Sequence, residues 1–184
     1  MSNFLFFTNR LIFFSFLILF YFIFSMPILE RDGNKSTLIS LVKNERKATP
    51  FLLDRWFPGH GPTNFKKWYK TLEPYIIKWA PFFEPYVIVR LKNLPTFDER
   101  FIGYGFNKVS FLMELDAMNY TFVVHPSAFV VHYPHPLTKD NLSFIKKHNY
   151  KECINISNRA FISDITSKYS VDIKRYGTML TGSD

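Results

Sequence analysis

An uncharged apolar run near the amino terminus constrains this chain more than any other feature. The run covers the nineteen positions from Leu11 to Leu29 without an acidic or basic side chain. A helix rises about 1.5 Å per residue, so nineteen residues nearly cross a hydrocarbon core of about 30 Å. Arg10 precedes the run, and a charged triplet at 30–32 follows it. The pattern predicts a transmembrane helix with a cytosolic amino terminus.

A cleaved signal peptide is the alternative interpretation of the same run. Cleavage requires small residues at the first and third positions before the cut. A cut after Ser25 would place Ile23 at the third position, where it fits poorly. The favoured interpretation is therefore an uncleaved signal-anchor at 11–29, with a cytosolic tail at 1–10 before it.

The residues after this run divide into a polar segment and a domain. Residues 30–50 are polar and weakly periodic, which predicts a stem between membrane and domain. The remainder, 51–184, has room for one domain of ordinary size. Cys153 is the only cysteine, so no intrachain disulfide can form.

The net charge of +8 would suit anionic ligands such as a sugar nucleotide or an acidic glycan, but a solvated basic surface is the favoured explanation. Basic residues do not form a stripe interleaved with base-stacking aromatics, so we expect no nucleic-acid partner.

Alternating local patterns predict an α/β domain with few strands. The runs Tyr75–Trp79 and Tyr86–Arg90 are rich in β-formers and bracketed by prolines, which is typical of strands. A helical pattern covers 107–119 and another covers much of 138–168. Two further strands are expected at 121–125 and 128–132. A short helix through Lys70 is expected after a cap at Thr63 or Asn64.

Several blocks in this domain follow one another in a recognisable order. They are Gly59-His60-Gly61-Pro62-Thr63-Asn64-Phe65 with Trp68, Trp79, Phe83-Glu84-Pro85-Tyr86-Val87, Phe97-Asp98-Glu99-Arg100-Phe101, Gly103-Tyr104-Gly105-Phe106-Asn107-Lys108, Met113-Glu114-Leu115-Asp116-Ala117 and His132-Tyr133-Pro134-His135. In residue identity and order, these blocks closely resemble the C-terminal glucuronyltransferase part of glycosyltransferase family 49. That family contains the LARGE-type xylosyl/glucuronyltransferases and their β-1,4-glucuronyltransferase relatives.

The resemblance implies a GT-A fold and an inverting transfer from UDP-glucuronic acid that depends on Mn²⁺. It also implies an acceptor of the α-dystroglycan O-mannosyl type and a Golgi location, with the domain in the lumen. By position, His132 corresponds to a metal-binding histidine of the family. By the same resemblance, the residues expected to bind substrate on the acceptor side of the active site are Gly103, Tyr104, Gly105, Asn107 and Lys108.

An inverting transfer also requires a base for the proton of the acceptor hydroxyl, commonly a carboxylate. The nearest candidates are Asp98 and Glu99. A turn with a salt bridge to Arg100 is the structural alternative for these two acids. Glu114 and Asp116, on the predicted helix, are expected to be solvated or to cap it.

One expected element is missing, because no Asp-x-Asp occurs in the sequence. In the family that motif grips the metal, and one imidazole cannot replace it because Mn²⁺ requires several ligands. We therefore expect the chain to be catalytically incomplete alone. The alternative is a non-catalytic glycan-binding protein, or a partner subunit that forms an oligomer with a complete transferase.

Exposure to the secretory lumen would present four Asn-x-Ser/Thr sites for glycosylation. They are Asn34, Asn119, Asn141 and Asn155. Asn34 is expected to be the most accessible, and Asn119 is expected to be buried beside a strand.

Overall fold

The computed structural model describes the backbone of residues 17–25 and the full structure of residues 34–180. The strands are β1 (Leu17–Ser25), β2 (Thr49–Pro50), β3 (Tyr75–Ile77), β4 (Tyr86–Ile88) and β5 (Thr121–His132). The helices are α1 (Lys35–Lys43), α2 (Phe57–His60), α3 (Phe65–Lys70), α4 (Asn107–Ala117), α5 (Lys139–Lys146), α6 (His148–Tyr169) and α7 (Gly177–Leu180). Two 3-10 turns, Gly61–Thr63 and Ile173–Tyr176, connect them.

All five strands belong to one mixed sheet, and β1 lies in its interior. On one side β1 pairs in parallel with β5, whose far edge carries the antiparallel strand β3. On the other side β1 pairs antiparallel with both β4, where Leu19 faces Ile88, and β2, where Phe24 faces Pro50. The mixture of helices and strands agrees with the expected α/β class and is consistent with a glycosyltransferase domain.

The structure differs from the predicted transmembrane helix over the part of the run that it describes. Leu17–Ser25 is a strand paired along both edges, and no helix within residues 34–180 is long and apolar enough to cross a bilayer. Central strands of sheets covered on both faces also appear as continuous apolar runs, so hydropathy alone does not distinguish the two structures. The predicted tail at 1–10 and the positions 11–16 and 26–29 lie outside the described residues.

The predicted stem also differs from the structure at the positions described. Residues 35–43 form helix α1, which Asn34 caps by accepting a hydrogen bond from the Thr37 amide at 3.0 Å. Leu38 is only 1% exposed and Ala48 is also buried, both in the core that contains Trp68. A few apolar positions in a polar segment were enough to attach it to the domain.

Helix α4 forms the centre of the domain and is buried from Val109 to Ala117. One side of it, including Leu112 and Leu115, joins the core of β5, α1 and α3. The other side, including Met113, packs against α6 in a second core. Burial on both sides makes α4 a fixed base for the glycine-rich motif that leads into it.

The acids of α4 are buried and paired, contrary to the expectation that they are solvated or capping. Glu114 accepts hydrogen bonds from Lys168 at 3.0 Å and from the Tyr169 hydroxyl at 2.7 Å. Asp116 accepts from Arg175 at 2.7 Å and from the Tyr176 hydroxyl at 3.0 Å. These contacts fasten the C-terminal segment to α4.

The predicted strands at 121–125 and 128–132 are one strand, β5, with an irregularity between them. Its register against β1 shifts between the pairs Phe20↔Val124 and Phe22↔Phe129. Pro126 lies in this interval and cannot donate a ladder hydrogen bond. The imidazole of His125 replaces part of the ladder, because its Nδ1 accepts from the amides of Ser127 at 3.2 Å and Ala128 at 3.1 Å.

Candidate functional site

The candidate site begins where the parallel strands β1 and β5 end side by side, with Ser25 opposite His132. Ligands of open α/β sheets commonly bind outside the carboxyl ends of such strands. The His132 ring lies 4.4 Å from the Phe51 ring and 5.1 Å from the His135 ring, measured between centroids. Burial, and then the charge of His135, lower the pKa of His132. Its Nδ1 is buried without a hydrogen-bond partner among the described residues.

A second buried imidazole, His60, lies on the other side of Phe51. The two rings meet edge to face with centroids 5.3 Å apart, and His60 is 5% exposed. Its Nε2 has no partner among residues 34–180. Burial, together with the charge of Lys108, lowers the pKa of His60 to about 4, so this imidazole is neutral at physiological pH.

Lys108, at the start of α4, connects His60 to a carboxylate and an aromatic ring. Its Nζ lies 3.9 Å from Glu84 Oε2 and 4.4 Å above the centroid of the Tyr86 ring. Burial lowers the pKa of Lys108, and Glu84 partly offsets that effect. Burial raises the pKa of Glu84, while Lys108 and a hydrogen bond with Trp56 oppose the rise. A carboxyl group of raised pKa beside a cation suits proton transfer.

The glycine-rich motif adopts a backbone that requires glycine at both positions. Gly103 has φ +82° and Gly105 has φ +109°, in the region that disfavours side chains. Between them Tyr104 is partly exposed, and burial and then the charge of Glu84 raise the pKa of its hydroxyl. Of the predicted substrate-binding residues, Tyr104 and Lys108 therefore converge on Glu84. Asn107 is exposed, and its Oδ1 accepts from the Lys108 amide at 2.8 Å.

The two candidate bases have different surroundings. Asp98 accepts two hydrogen bonds from the Arg100 guanidinium, at 2.9 and 2.7 Å, and these lower its pKa. Arg100 also pairs with Asp164 of α6 at 2.8 Å. Asp98 thus takes part in the turn and salt bridge given above as the structural alternative, whereas Glu99 is exposed. A carboxylate of lowered pKa is a weak base, which disfavours Asp98 for that role.

The described residues do not fit a manganese site. No group of three or more His, Cys, Asp or Glu side chains in this part of the chain is arranged to hold a metal ion. His132 offers a free nitrogen but has His135 and Phe51 as neighbours rather than carboxylates. Mn²⁺ favours oxygen ligands in addition to imidazole. No catalytic step is therefore assigned to a metal.

The four glycosylation sequons lie in different environments. Asn34 is exposed and uses only its Oδ1 to cap α1, while Asn119 is also exposed, at a turn with φ +60°. Exposure of Asn119 contradicts its expected burial, because the turn after α4 points the residue away from β5. Asn155 is half-buried within α6. The Asn141 side chain accepts a hydrogen bond from the Thr138 hydroxyl.

Sequence reasoning missed three residues of this region. His60 and Glu84 lie inside the matched blocks. They are distinguished by surroundings that the sequence does not show, since His60 is buried and Glu84 is half-buried beside Lys108. Tyr150 had no signal at all, although its hydroxyl lies 3.0 Å from the Tyr104 amide nitrogen, 46 residues away along the chain.

The mixed arrangement of helices and strands is consistent with a glycosyltransferase domain, and comparison with known proteins agrees. The family described as "Glycosyl-transferase for dystroglycan" matches residues 23–170, and this chain belongs to that family. The match begins well before Gly59, where the quoted blocks start, and so includes the end of β1 and all of α1.

Individual relatives give the same result. The chain is 39% identical to zebrafish (Danio rerio) xylosyl- and glucuronyltransferase LARGE2s over 145 residues, which is 79% of this chain and 19% of the relative. It is 37% identical to human LARGE1 over 145 residues, again 79% and 19% of the two chains. Rat (Rattus norvegicus) LARGE2 is 34% identical over 160 residues, 87% and 22%. The matched region is thus a small part of each relative.

Proposed function

We propose that this chain forms the acceptor side of a transferase that moves glucuronic acid from UDP-glucuronic acid to O-mannosyl glycans of the α-dystroglycan type. The observation that carries the proposal is the pairing of Lys108 with Glu84 at 3.9 Å, with Tyr104 within reach of the Glu84 charge and His60 within reach of the Lys108 charge. His60 and the strand-end residue His132 both contact Phe51. The names of the relatives support the reaction class, since they are xylosyl- and glucuronyltransferases.

In this proposal Lys108 attracts an anionic group of the glycan. It extends from the first turn of α4, where the helix dipole also favours negative charge. Tyr86 and Tyr104 offer partly exposed aromatic faces and hydroxyls beside it. Neutral His60 supports the Lys108 end of the site without adding a second positive charge.

Glu84 is the proposed base for the acceptor hydroxyl. A base is most useful when its pKa approaches the working pH, and burial shifts the pKa of Glu84 in that direction. In an inverting transfer the hydroxyl oxygen attacks the anomeric carbon, its proton passes to Glu84, and the bond to the UDP oxygen breaks. Glu84 replaces Asp98 and Glu99 in this role.

A second function, glycan binding without transfer, is favoured by the lack of a metal-binding group among residues 34–180. We propose that this part of the chain does not support transfer by itself, and that it acts beside a complete transferase. The proposed compartment is the Golgi lumen. Membrane anchoring by 11–29 would require β1 to leave the sheet, since one segment cannot be both an interior strand and a transmembrane helix.

The test uses the full chain and the O-mannosyl glycan released from α-dystroglycan. Binding is measured by titration calorimetry, and transfer is measured with labelled UDP-glucuronic acid and Mn²⁺. We expect binding that Lys108→Ala weakens about tenfold, the scale of one charge-assisted contact, and that the exposed control Lys92→Ala leaves unchanged. Glu84→Gln should leave binding intact.

Transfer separates the two functions. No transfer by the chain alone, followed by transfer that Glu84→Gln abolishes once a complete family member is co-expressed, would support the enzyme role. Binding without transfer in either setting would favour the glycan-binding role. Equal binding by Lys108→Ala and the unmodified chain would refute the site.

A further inference from the structure

A single hydroxyl group holds the glycine loop, which we define as Ile102–Phe106. Tyr150, at the start of α6, places its Oη 3.0 Å from the Tyr104 amide nitrogen, which donates to it. The same hydroxyl donates toward the carbonyl oxygens of Ile102 at 3.0 Å and Tyr104 at 3.1 Å. Three backbone groups of an exposed loop therefore depend on one side chain.

The segment around Tyr150 also encloses the side chain of Tyr104. The Phe144 ring meets the Tyr104 ring edge to face at 5.4 Å and the Tyr150 ring at 6.1 Å. Two adjacent helices, α5 and α6, thus hold Tyr104 by its ring and its backbone.

The two glycines of the loop leave room for the side chains of Tyr150 and Phe144. A Cβ at Gly103 would lie 2.6 Å from Tyr150 Oη, and one at Gly105 would lie 2.9 Å from the Phe144 ring. The glycines are therefore required both by their positive φ and by the approach of these aromatic side chains.

We propose that Tyr150 is a positioning residue, whose hydroxyl fixes the glycine loop so that Tyr104 and Lys108 face the glycan. The effect on ligand binding rests on the proposed function, whereas the effect on the loop rests on geometry alone. Helix α5 has no buried residue, and Ile102 and Tyr104 are exposed. Apart from Phe106 and Tyr150, which are half-buried against the second core, little apolar burial holds the two parts together. Loss of the hydroxyl should therefore allow local opening without global unfolding.

The experiment compares Tyr150→Phe with Tyr169→Phe in the full chain. Tyr169 is the matched control, because it lies on the same helix and its hydroxyl also makes a hydrogen bond, at 2.7 Å to Glu114. Amide hydrogen exchange is followed in the glycine loop and in α4. We expect exchange at Tyr104 to become about tenfold faster in Tyr150→Phe, as for the loss of one hydrogen bond, and to stay unchanged in the control.

Affinity for the O-mannosyl glycan is the second measurement, because it would not change if Tyr150 had a purely structural role. At a temperature where both variants are fully folded, Tyr150→Phe should bind about tenfold more weakly and Tyr169→Phe as the unmodified chain does. Equal loop exchange in the two variants overturns the inference, and so does faster exchange with unchanged affinity. If the unmodified chain binds no glycan, the proposed function fails, and the exchange data alone support or overturn the control of the loop by Tyr150.

Discussion

Replacing Leu38 by alanine tests whether residues 34–50 belong to the domain or form a stem. Leu38 is 1% exposed and lies in the core with Trp68 and Leu112. The change removes three buried carbons, worth about 0.8 kcal/mol each, and leaves a cavity. Together these effects predict a loss of about 2–5 kcal/mol in the free energy of unfolding.

Urea unfolding followed by tryptophan fluorescence measures this loss, because Trp68 is fully buried in the same core. With a slope of about 2 kcal/mol per molar, the midpoint should fall by about 1–2.5 M. Leu72→Ala is the matched control, since it makes the same change at a side chain that is 83% exposed, and it should stay within about 0.5 kcal/mol. If the two variants unfold at the same midpoint, α1 is not part of the core and the stem interpretation is correct.

Three further predictions concern pH, ion pairing and glycosylation. The pKa of His60 is about 4 in the folded chain and about 6.5 when unfolded, so the unfolded state binds the extra proton in this pH range. The free energy of unfolding should therefore fall by up to about 3 kcal/mol from pH 6.5 to 4. His60→Gln should flatten this pH dependence in unfolding curves, and an unchanged slope would contradict the assignment. Arg175→Ala should lower the free energy of unfolding by about 1–3 kcal/mol, because it removes one hydrogen-bond donor from buried Asp116. Adding Asp116→Asn to the same chain should recover part of this stability. If the effects of the two changes simply add, the two side chains are not coupled. In secreted material Asn34→Gln and Asn119→Gln should each remove a glycosidase-sensitive shift in gel mobility, and the absence of any shift in the unmodified chain would exclude occupancy at both exposed sites.

Local signals in the sequence were sufficient for several elements. Asn64 caps α3 through a hydrogen bond to the Lys67 amide, as its position before an aromatic and basic helix indicated. The glycine pair directly precedes α4, and Gly103 and Gly105 both adopt positive φ. Glycine adopts this conformation from its own backbone preference, so the sequence was enough to predict it. Proline-bracketed strands appeared at Tyr75–Ile77 and Tyr86–Ile88, each shorter than predicted.

The candidate site was only partly predictable, because contacts between side chains that are distant along the chain are not visible in the sequence. The sequence showed the residue types around Lys108 and His132, but not that the ring of Phe51 lies between His132 and His60. It also left Asp98 with two roles. Only the geometry showed its pairing with Arg100, and through it with Asp164 from a helix more than sixty residues later.

The sequence alone determined the family, the α/β class and the positions of the glycine loop, since these depend on short motifs and local backbone preferences. Only the tertiary structure showed a strand within the apolar run, at Leu17–Ser25, because an apolar segment gains burial either in lipid or inside a sheet and its composition favours both. Pairing with β4 and β5 places Leu17–Ser25 in the sheet. The raised pKa of Glu84, which is half-buried beside Lys108, was also decided by tertiary structure, because desolvation depends on neighbours that are distant along the chain.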